Sequence, residues 1–244
     1  MWYNSCMRNW LRFFRAVNLP TVPGDVLVGA SALCAFGAAP LEATAIVAVC
    51  VASVALYMFG LADNDIVGAA SDSWRPLSDG SITMPAARVA RGLCLAVALV
   101  TALAAGLPAP WWTVAFILAV SIVVYNRTKW FWLMGMCRGL NVVCGGAAVC
   151  GAAFCQTPDC SGMAWLLAFA AIWTLYVAAV TKYSEGEELD SAKKRRVGFL
   201  ISGIVYLQLV ALLVCMVRPL LVAGAVLLIA LRVAKRHMTG VCAS

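Results

Sequence analysis

Ala43-Thr44-Ala45-Ile46-Val47-Ala48-Val49-Cys50-Val51-Ala52-Ser53-Val54-Ala55-Leu56-Tyr57-Met58-Phe59-Gly60-Leu61-Ala62 is an unbroken apolar run, and Asp63-Asn64-Asp65-Ile66-Val67-Gly68-Ala69-Ala70-Ser71-Asp72-Ser73-Trp74-Arg75-Pro76-Leu77-Ser78-Asp79-Gly80 follows it at once. The run is as long as a helix needs to be to cross the hydrocarbon core of a bilayer. Ionisable residues are expensive at a membrane edge, so several acids and an arginine there point to a task.

The rest of the chain agrees. It has 244 residues, 64% hydrophobic and 12% charged, with a mean hydropathy of +0.91. A soluble domain carries about a quarter charged residues. The excess apolar surface belongs in lipid. Eight apolar segments can be read, near 19–38, 43–62, 86–106, 110–126, 132–154, 162–181, 197–217 and 219–234. They are continuously apolar instead of alternating, which excludes a barrel pattern and leaves helices, the structures that satisfy their own backbone in lipid. The expectation is an all-α, polytopic transmembrane helical bundle of about eight helices, one unit over 1–244. The last segment is short and need not cross fully. Residues 8–17 place Arg8, Arg12 and Arg15 at i, i+4 and i+7 with Trp10, Phe13, Phe14 and Val17 elsewhere, which predicts an amphipathic helix on the membrane surface.

With the N-terminus inside and eight crossings, 17 of the 18 Lys and Arg residues fall on the cytoplasmic side and only Arg218 outside. That satisfies the positive-inside rule. It predicts an integral, multi-pass protein with both termini cytoplasmic; a bacterial inner membrane is the expected location. The net charge of +7 is spread among topology signals, so no nucleic-acid partner is expected. The 11 cysteines include no CxxC pair, which removes zinc and dithiol redox chemistry; Cys155 and Cys160 flank a loop and could pair. The N-terminus does not read as a cleavable signal, because Pro20, Pro23, Gly24 and Asp25 break the start of the apolar stretch.

Three charged connections open on the cytoplasmic face: 63–80, the stretch Tyr125-Asn126-Arg127-Thr128-Lys129, and Lys182-Tyr183-Ser184-Glu185-Gly186-Glu187-Glu188-Leu189-Asp190. Asp65 and Asp72 lie two helical turns apart if the helix continues, about 10 Å along its axis, and suit Mg²⁺, with Asp63 and Asn64 as further oxygen donors. Arg75, held before Pro76, can grip phosphate oxygens with its planar fork. Tyr125 and Lys129, at i and i+4, can meet the same phosphate. Of the second acidic stretch, Glu185 and Glu188 share a helical face and are candidate metal ligands, with Lys182 beside them as a candidate substrate contact. Each also has a plain reading, as a solvated loop, an interfacial anchor or a snorkelling side chain.

Arg138 lies about 10 Å below the start of its segment and needs an acid, a ligand or a wet cavity. Gly135 and Gly139 permit close approach of a neighbour. Asn141 lies near the same face, and Asp25 is the other ionisable group inside a segment. The two can be substrate contacts or a structural Arg138–Asp25 pair.

In these residues the chain resembles the UbiA superfamily of intramembrane prenyltransferases. Asn64-Asp65 through Asp72, then Arg75-Pro76-Leu77 and Gly80-Ser81-Ile82-Thr83, is similar to its first Asp-rich motif and the turn after it. Tyr125 and Lys129 match its Tyr-x-x-x-Lys element. Met134-Gly135, Cys137-Arg138-Gly139-Leu140-Asn141 and Thr181 followed by Glu185 look more like the UbiA-like proteins of bacterial Ebo metabolite clusters. The resemblance implies a bundle around a central cavity open to the cytoplasmic side, Mg²⁺, a prenyl diphosphate donor and a small, aromatic or lipophilic acceptor, with Asp65 and Asp72 on metal and Arg75, Lys129 and Arg138 on diphosphate. Gly68 stands where that family usually has a middle Asp, the segment from Asp72 to Arg75 is short, and eight helices are counted where nine are common. A non-catalytic protein that binds or transports a lipophilic metabolite is therefore the second expectation. A phosphatidyl-type transferase is disfavoured, since Ala87-Arg88 follows Asp79-Gly80 too late.

Overall fold

The computed structural model describes residues 2–36, 42–70, 75–150, 161–185 and 191–242. Nine α-helices lie among them: α1 Trp2–Phe13, α2 Thr21–Phe36, α3 Ala43–Val67, α4 Met84–Ala104, α5 Ala109–Thr128, α6 Phe131–Cys150, α7 Ser161–Ser184, α8 Ser191–Cys215 and α9 Arg218–Cys242. The eight apolar segments are the eight helices α2 to α9. Seven helices, the last of them α8, are long and apolar enough to cross a membrane; α9 is not among the seven.

Helices α2, α3 and α6 form the middle: 67% of each span is buried, against 22% for α4 and 28% for α5. Composition explains the difference. Helix α6 has Gly at the positions that meet its neighbours. A Cβ at Gly145 would overlap the backbone of Val26 on α2, and Cβ atoms at Gly135 and Gly139 would overlap α7 at Thr174 and Ala170. Small residues let helix backbones touch where lipid offers no hydrophobic drive to associate. Outer helices instead present large apolar side chains. On α4, Val89, Leu93, Val97 and Val100 recur every three or four residues and stay exposed, a lipid-facing stripe.

Two core clusters fill the interior. One gathers Leu27, Leu33, Val142, Leu166, Trp173 and Leu212; the other joins Val49, Leu56, Ala98, Trp111, Leu118 and Cys144. A third is small: Phe13 packs on Ala62, Ile82 and Ala87, so the end of α1 is pinned over the junction of α3 and α4.

The N-terminal helix departs from expectation. It starts at Trp2 and stops at Phe13, so 14–17 are not part of it. Arg15 takes a left-handed backbone, φ 44, and a short 3₁₀ turn, Ala16–Asn18, leads into α2. Burial of Phe13 decides this: the chain has to turn there to send α2 into the bundle. The stretch after α3 departs as well. Helix α3 ends at Val67, where the Gly68 N–H bonds to the Asn64 carbonyl at 2.9 Å, and the relation of Asp65 to Asp72 lies outside the described residues.

Candidate functional site

The charged residues nearest one end of the bundle converge. Helix α3 ends with its carbonyls aimed at that end, and a helix C-terminus attracts cations. Arg75 supplies one. Its Nη1 donates to the Asn64 carbonyl at 3.0 Å and to Asp65 Oδ1 at 2.8 Å, with Arg75 and Asp65 both buried. Lys129 supplies the second. It caps α5 in the left-handed region, φ 54, which turns its side chain back toward α3, where Nζ donates to Asn64 Oδ1. The same Nζ stands 5.7 Å from the Tyr125 ring centre. Arg15 is the third, with Nη2 3.6 Å from Asp65 Oδ1. Left-handed backbone costs a non-glycine residue about 1–2 kcal/mol. Two of the three residues that adopt it here among the described ones are Arg15 and Lys129, so strain is spent on aiming cations at this end.

The turn after Arg75 is built to hold it. Ser78 and Asp79 N–H groups return to the Arg75 carbonyl at 3.0 and 2.9 Å, and Gly80 takes φ 76 to reverse the chain. Asp79 Oδ1 accepts the Ser81 N–H at 2.9 Å and the Ser81 hydroxyl, while Arg12 lies 3.8 Å away. Slight burial works against the Asp79 charge, but the Ser81 hydrogen bonds and Arg12 outweigh it and hold this carboxyl below its usual range. Thr83 then caps α4 by accepting the Ala86 N–H, with Pro85 in the first turn.

Beneath this end lies a cavity of about 90 Å³. Arg15, Asn64, Tyr125 and Asn126 line its mouth, Leu56, Leu61, Leu118, Ile122 and Met134 its walls, and Ser53, Arg138 and Asn141 its deeper part. The third charged connection reaches the same end, since Lys182 Nζ stands 5.4 Å from the ring centre of Phe131, the first residue of α6.

Several expected site residues are placed otherwise. Asp25 is fully buried and does not line the cavity. Its carboxylate takes Arg138 at 3.0 and 3.1 Å, Trp173 at 2.8 Å, Gln208 at 2.7 Å and Asn141 at 3.2 Å. The structural Arg138–Asp25 pair is thus present, and Asp25 is corrected from substrate contact to bundle anchor: its lone pairs are taken by donors from α6, α7 and α8. Gly24 makes room for Gln208, since a Cβ there would overlap that amide. Asp63 is corrected too. Buried at the end of α3, it binds Arg91 at 2.9 Å and Asn126 at 2.9 Å, with Arg127 at 3.7 Å, which ties α3 to α4 and α5. Glu185 and Lys182 pair with each other at 2.8 Å, both more than half exposed, and neither lines the cavity. Asp72 and Glu188, with Glu187, Asp190, Cys155 and Cys160, lie outside the described residues. Among the described residues no group of three or more His, Cys, Asp or Glu gathers as a metal site.

Reading the sequence missed Arg15 as a site residue, because the three arginines at helical spacing were assigned to one surface. It also missed Ser53, which looks like any small residue of an apolar run, and Gln208 and Trp173, the polar groups of α8 and α7 whose burial called for partners.

No family model matches the sequence, and no curated protein sequence matches it. Solved structures do. A digeranylgeranylglyceryl phosphate synthase superposes with a TM-score of 0.58 at 16% identity, over 95% of this chain and 88% of that one. A UbiA homolog from Archaeoglobus fulgidus bound to GPP and Mg²⁺ superposes with a TM-score of 0.57 at 14% identity, over 95% and 87%. The same homolog bound to Cd²⁺ gives 0.55 at 15% identity, over 95% and 88%. The fold is that of the UbiA proteins. At such identities the likeness is one of architecture, and the chemistry has to be argued from this chain's own residues.

Proposed function

We propose that this chain is a membrane prenyltransferase that moves a prenyl group from a prenyl diphosphate to a small lipophilic acceptor, with Mg²⁺ as cofactor. The observation that carries the reading is the convergence of Arg15, Arg75 and Lys129 on Asn64 and Asp65 at the mouth of an apolar-walled cavity. Three cations gathered beside Asn64 and Asp65 suit a diphosphate. Mg²⁺ needs only one or two carboxylates when phosphate oxygens and water complete its shell, and Asp65 with the Asn64 amide oxygen fits that need. Asp72 and Glu188 are proposed as further ligands on the strength of the sequence motif, and Glu185 would have to leave Lys182 to join them.

When bound, the metal would neutralise charge on the leaving diphosphate. This chain's residues do the rest. Arg75 and Lys129 hold the diphosphate oxygens, and Arg15 closes over them from the α1 side. The allylic C–O bond breaks with both electrons going to the diphosphate. The walls of Leu56, Leu61, Leu118 and Ile122 keep water from the resulting cation. The acceptor's nucleophile forms the new bond, and the proton it loses passes to the departing diphosphate. Fixed charges aimed at the developing negative charge supply the largest share of such rate enhancement. The finer likeness to Ebo-cluster proteins, and placement in a bacterial inner membrane with both termini cytoplasmic, belong to the same proposal.

A second reading, a protein that binds or carries a lipophilic metabolite, draws support from Gly68 in place of an acid and from the arginine contacts on Asp65. Purified protein with prenyl diphosphates, Mg²⁺ and a panel of acceptors separates the two. The transferase forms Mg²⁺-dependent product at a rate that Asp65→Ala cuts by about 10²- to 10³-fold. A carrier forms none, and its ligand binding survives Asp65→Ala.

A further inference from the structure

The inner end of the cavity differs from a pocket shaped for hydrocarbon alone. Ser53 is 3% and Asn141 4% exposed, and both line the cavity. Neither Ser53 Oγ nor Asn141 Oδ1 has a hydrogen-bond partner among the described residues. Arg138 Nε, on the same lining, is a third atom without a hydrogen bond, though it lies 3.0 Å from Asp25 Oδ2. Buried polar groups are nearly always paired, so these atoms in one cavity mark a place where a ligand completes the set.

The geometry fixes what that ligand must offer. Asn141 Nδ2 is committed to the Val22 carbonyl at 3.1 Å and Asp25 Oδ2 at 3.2 Å, so the amide cannot flip, and only its oxygen remains to be used. An oxygen there accepts and cannot donate. Ser53 Oγ can do either. Arg138 brings positive charge nearby, but Asp25 neutralises it at 3.0 Å and the Thr21 carbonyl takes a further donor at 3.0 Å. The Arg138–Asp25 pair therefore leaves little net charge at the inner end to hold a carboxylate. Depth separates the two ends. Ser53 lies eleven residues before Asn64 on α3, and Asn141 ten residues into α6, which puts both about 15 Å below the mouth.

We propose that Ser53 and Asn141 form an acceptor subsite for an uncharged ring or lipid bearing a hydroxyl or N–H group, which the cavity prefers over its carboxylate counterpart. The proposal names the acceptor class for the transferase reading above and rests on it. The ligand donates to Asn141 Oδ1 and shares its oxygen with the Ser53 hydroxyl, and its apolar body extends from there along the cavity walls toward the mouth.

Calorimetric titration in detergent micelles, with neither prenyl diphosphate nor Mg²⁺ present, tests it with three probes of one shape: 4-methylphenol, p-xylene and 4-methylbenzoate. The expected result is that wild type binds the phenol about 3- to 10-fold tighter than p-xylene and tighter than the benzoate, the range of one or two net hydrogen bonds. Ser53→Ala should erase most of that preference and leave p-xylene unchanged, which also corrects for uptake into the micelle. Equal affinity for phenol and p-xylene, or tighter binding of the benzoate, overturns the proposal, and the wild-type comparison stands even if a variant fails to fold. Phenol preference without any Mg²⁺-dependent product would retain the subsite and remove the transferase; product formed from a carboxylate acceptor alone would do the reverse.

Discussion

Asp25 and Asp65 are both buried acids, each with an arginine and an asparagine beside it, and the chain treats them in opposite ways. Asp25 sits within α2, fully enclosed, with donors from α6, α7 and α8 filling its oxygens. Asp65 sits at the end of α3, next to a cavity mouth, and one of its arginines, Arg15, is 35% exposed and reaches it from outside the bundle. Burial alone does not separate an anchor from a working group. What separates them is whether the partners are locked into neighbouring helices or come from turns that a ligand can displace.

The largest effect that would sharpen this contrast is on stability. Asp25→Ala leaves the Arg138 guanidinium buried without its counter-charge, and breaking one side of such a pair costs about 3–5 kcal/mol. Thermal unfolding in detergent should show a large loss, with little folded protein recovered. Asp65→Ala should fall on the other side. It too removes the counter-charge of a buried arginine, Arg75, but that guanidinium keeps the Asn64 carbonyl, so the loss of stability should be smaller than for Asp25→Ala, while Mg²⁺-dependent turnover of the folded protein drops by about 10²- to 10³-fold, the usual cost of removing one preorganised electrostatic group. If the two variants behaved alike in both assays, the distinction would be lost.

Arg91→Ala tests a third acid. Asp63 loses a 2.9 Å partner but keeps Asn126, so a loss of about 1–3 kcal/mol in stability is expected, with little change in the affinity of any diphosphate. The smallest effect concerns Asp79. Its carboxyl is held below the usual range in the folded chain, so its contribution is fully present above the unfolded carboxylate pKa and disappears as pH falls through the folded value. Unfolding measured between pH 7 and pH values below about 4 should show a slightly shallower acid loss for Asp79→Asn than for wild type.

Much of this was legible in the sequence for a physical reason. A crossing helix is a local property of some twenty residues, so the segment near 43–62 fixed α3 and the segment near 132–154 fixed α6 within a few residues. A buried charge also announces its need: Arg138 and Asp25 were the ionisable residues set inside apolar segments, and they are paired. The stop of α1 at Phe13 was not legible, because Arg15-Ala16-Val17 continues an acceptable helix and only the packing of Phe13 against Ile82 and Ala62 forces the turn. Asp63 looked like one more metal ligand, because its true partners, Arg91 and Asn126, lie 28 and 63 residues away. Glu185 reads equally as a metal ligand and as part of a solvated charged loop, and its pairing with Lys182, three residues before it, is a contact the sequence does not specify.

The most direct measurement is equilibrium binding of geranyl diphosphate to the purified chain, with and without Mg²⁺, in wild type and in Asp65→Asn. The account predicts binding that strengthens with Mg²⁺ in wild type and loses that dependence in Asp65→Asn, while the thermal midpoints of the two proteins stay close. Binding unaffected by Mg²⁺ in wild type, or equally Mg²⁺-dependent in both, would contradict it.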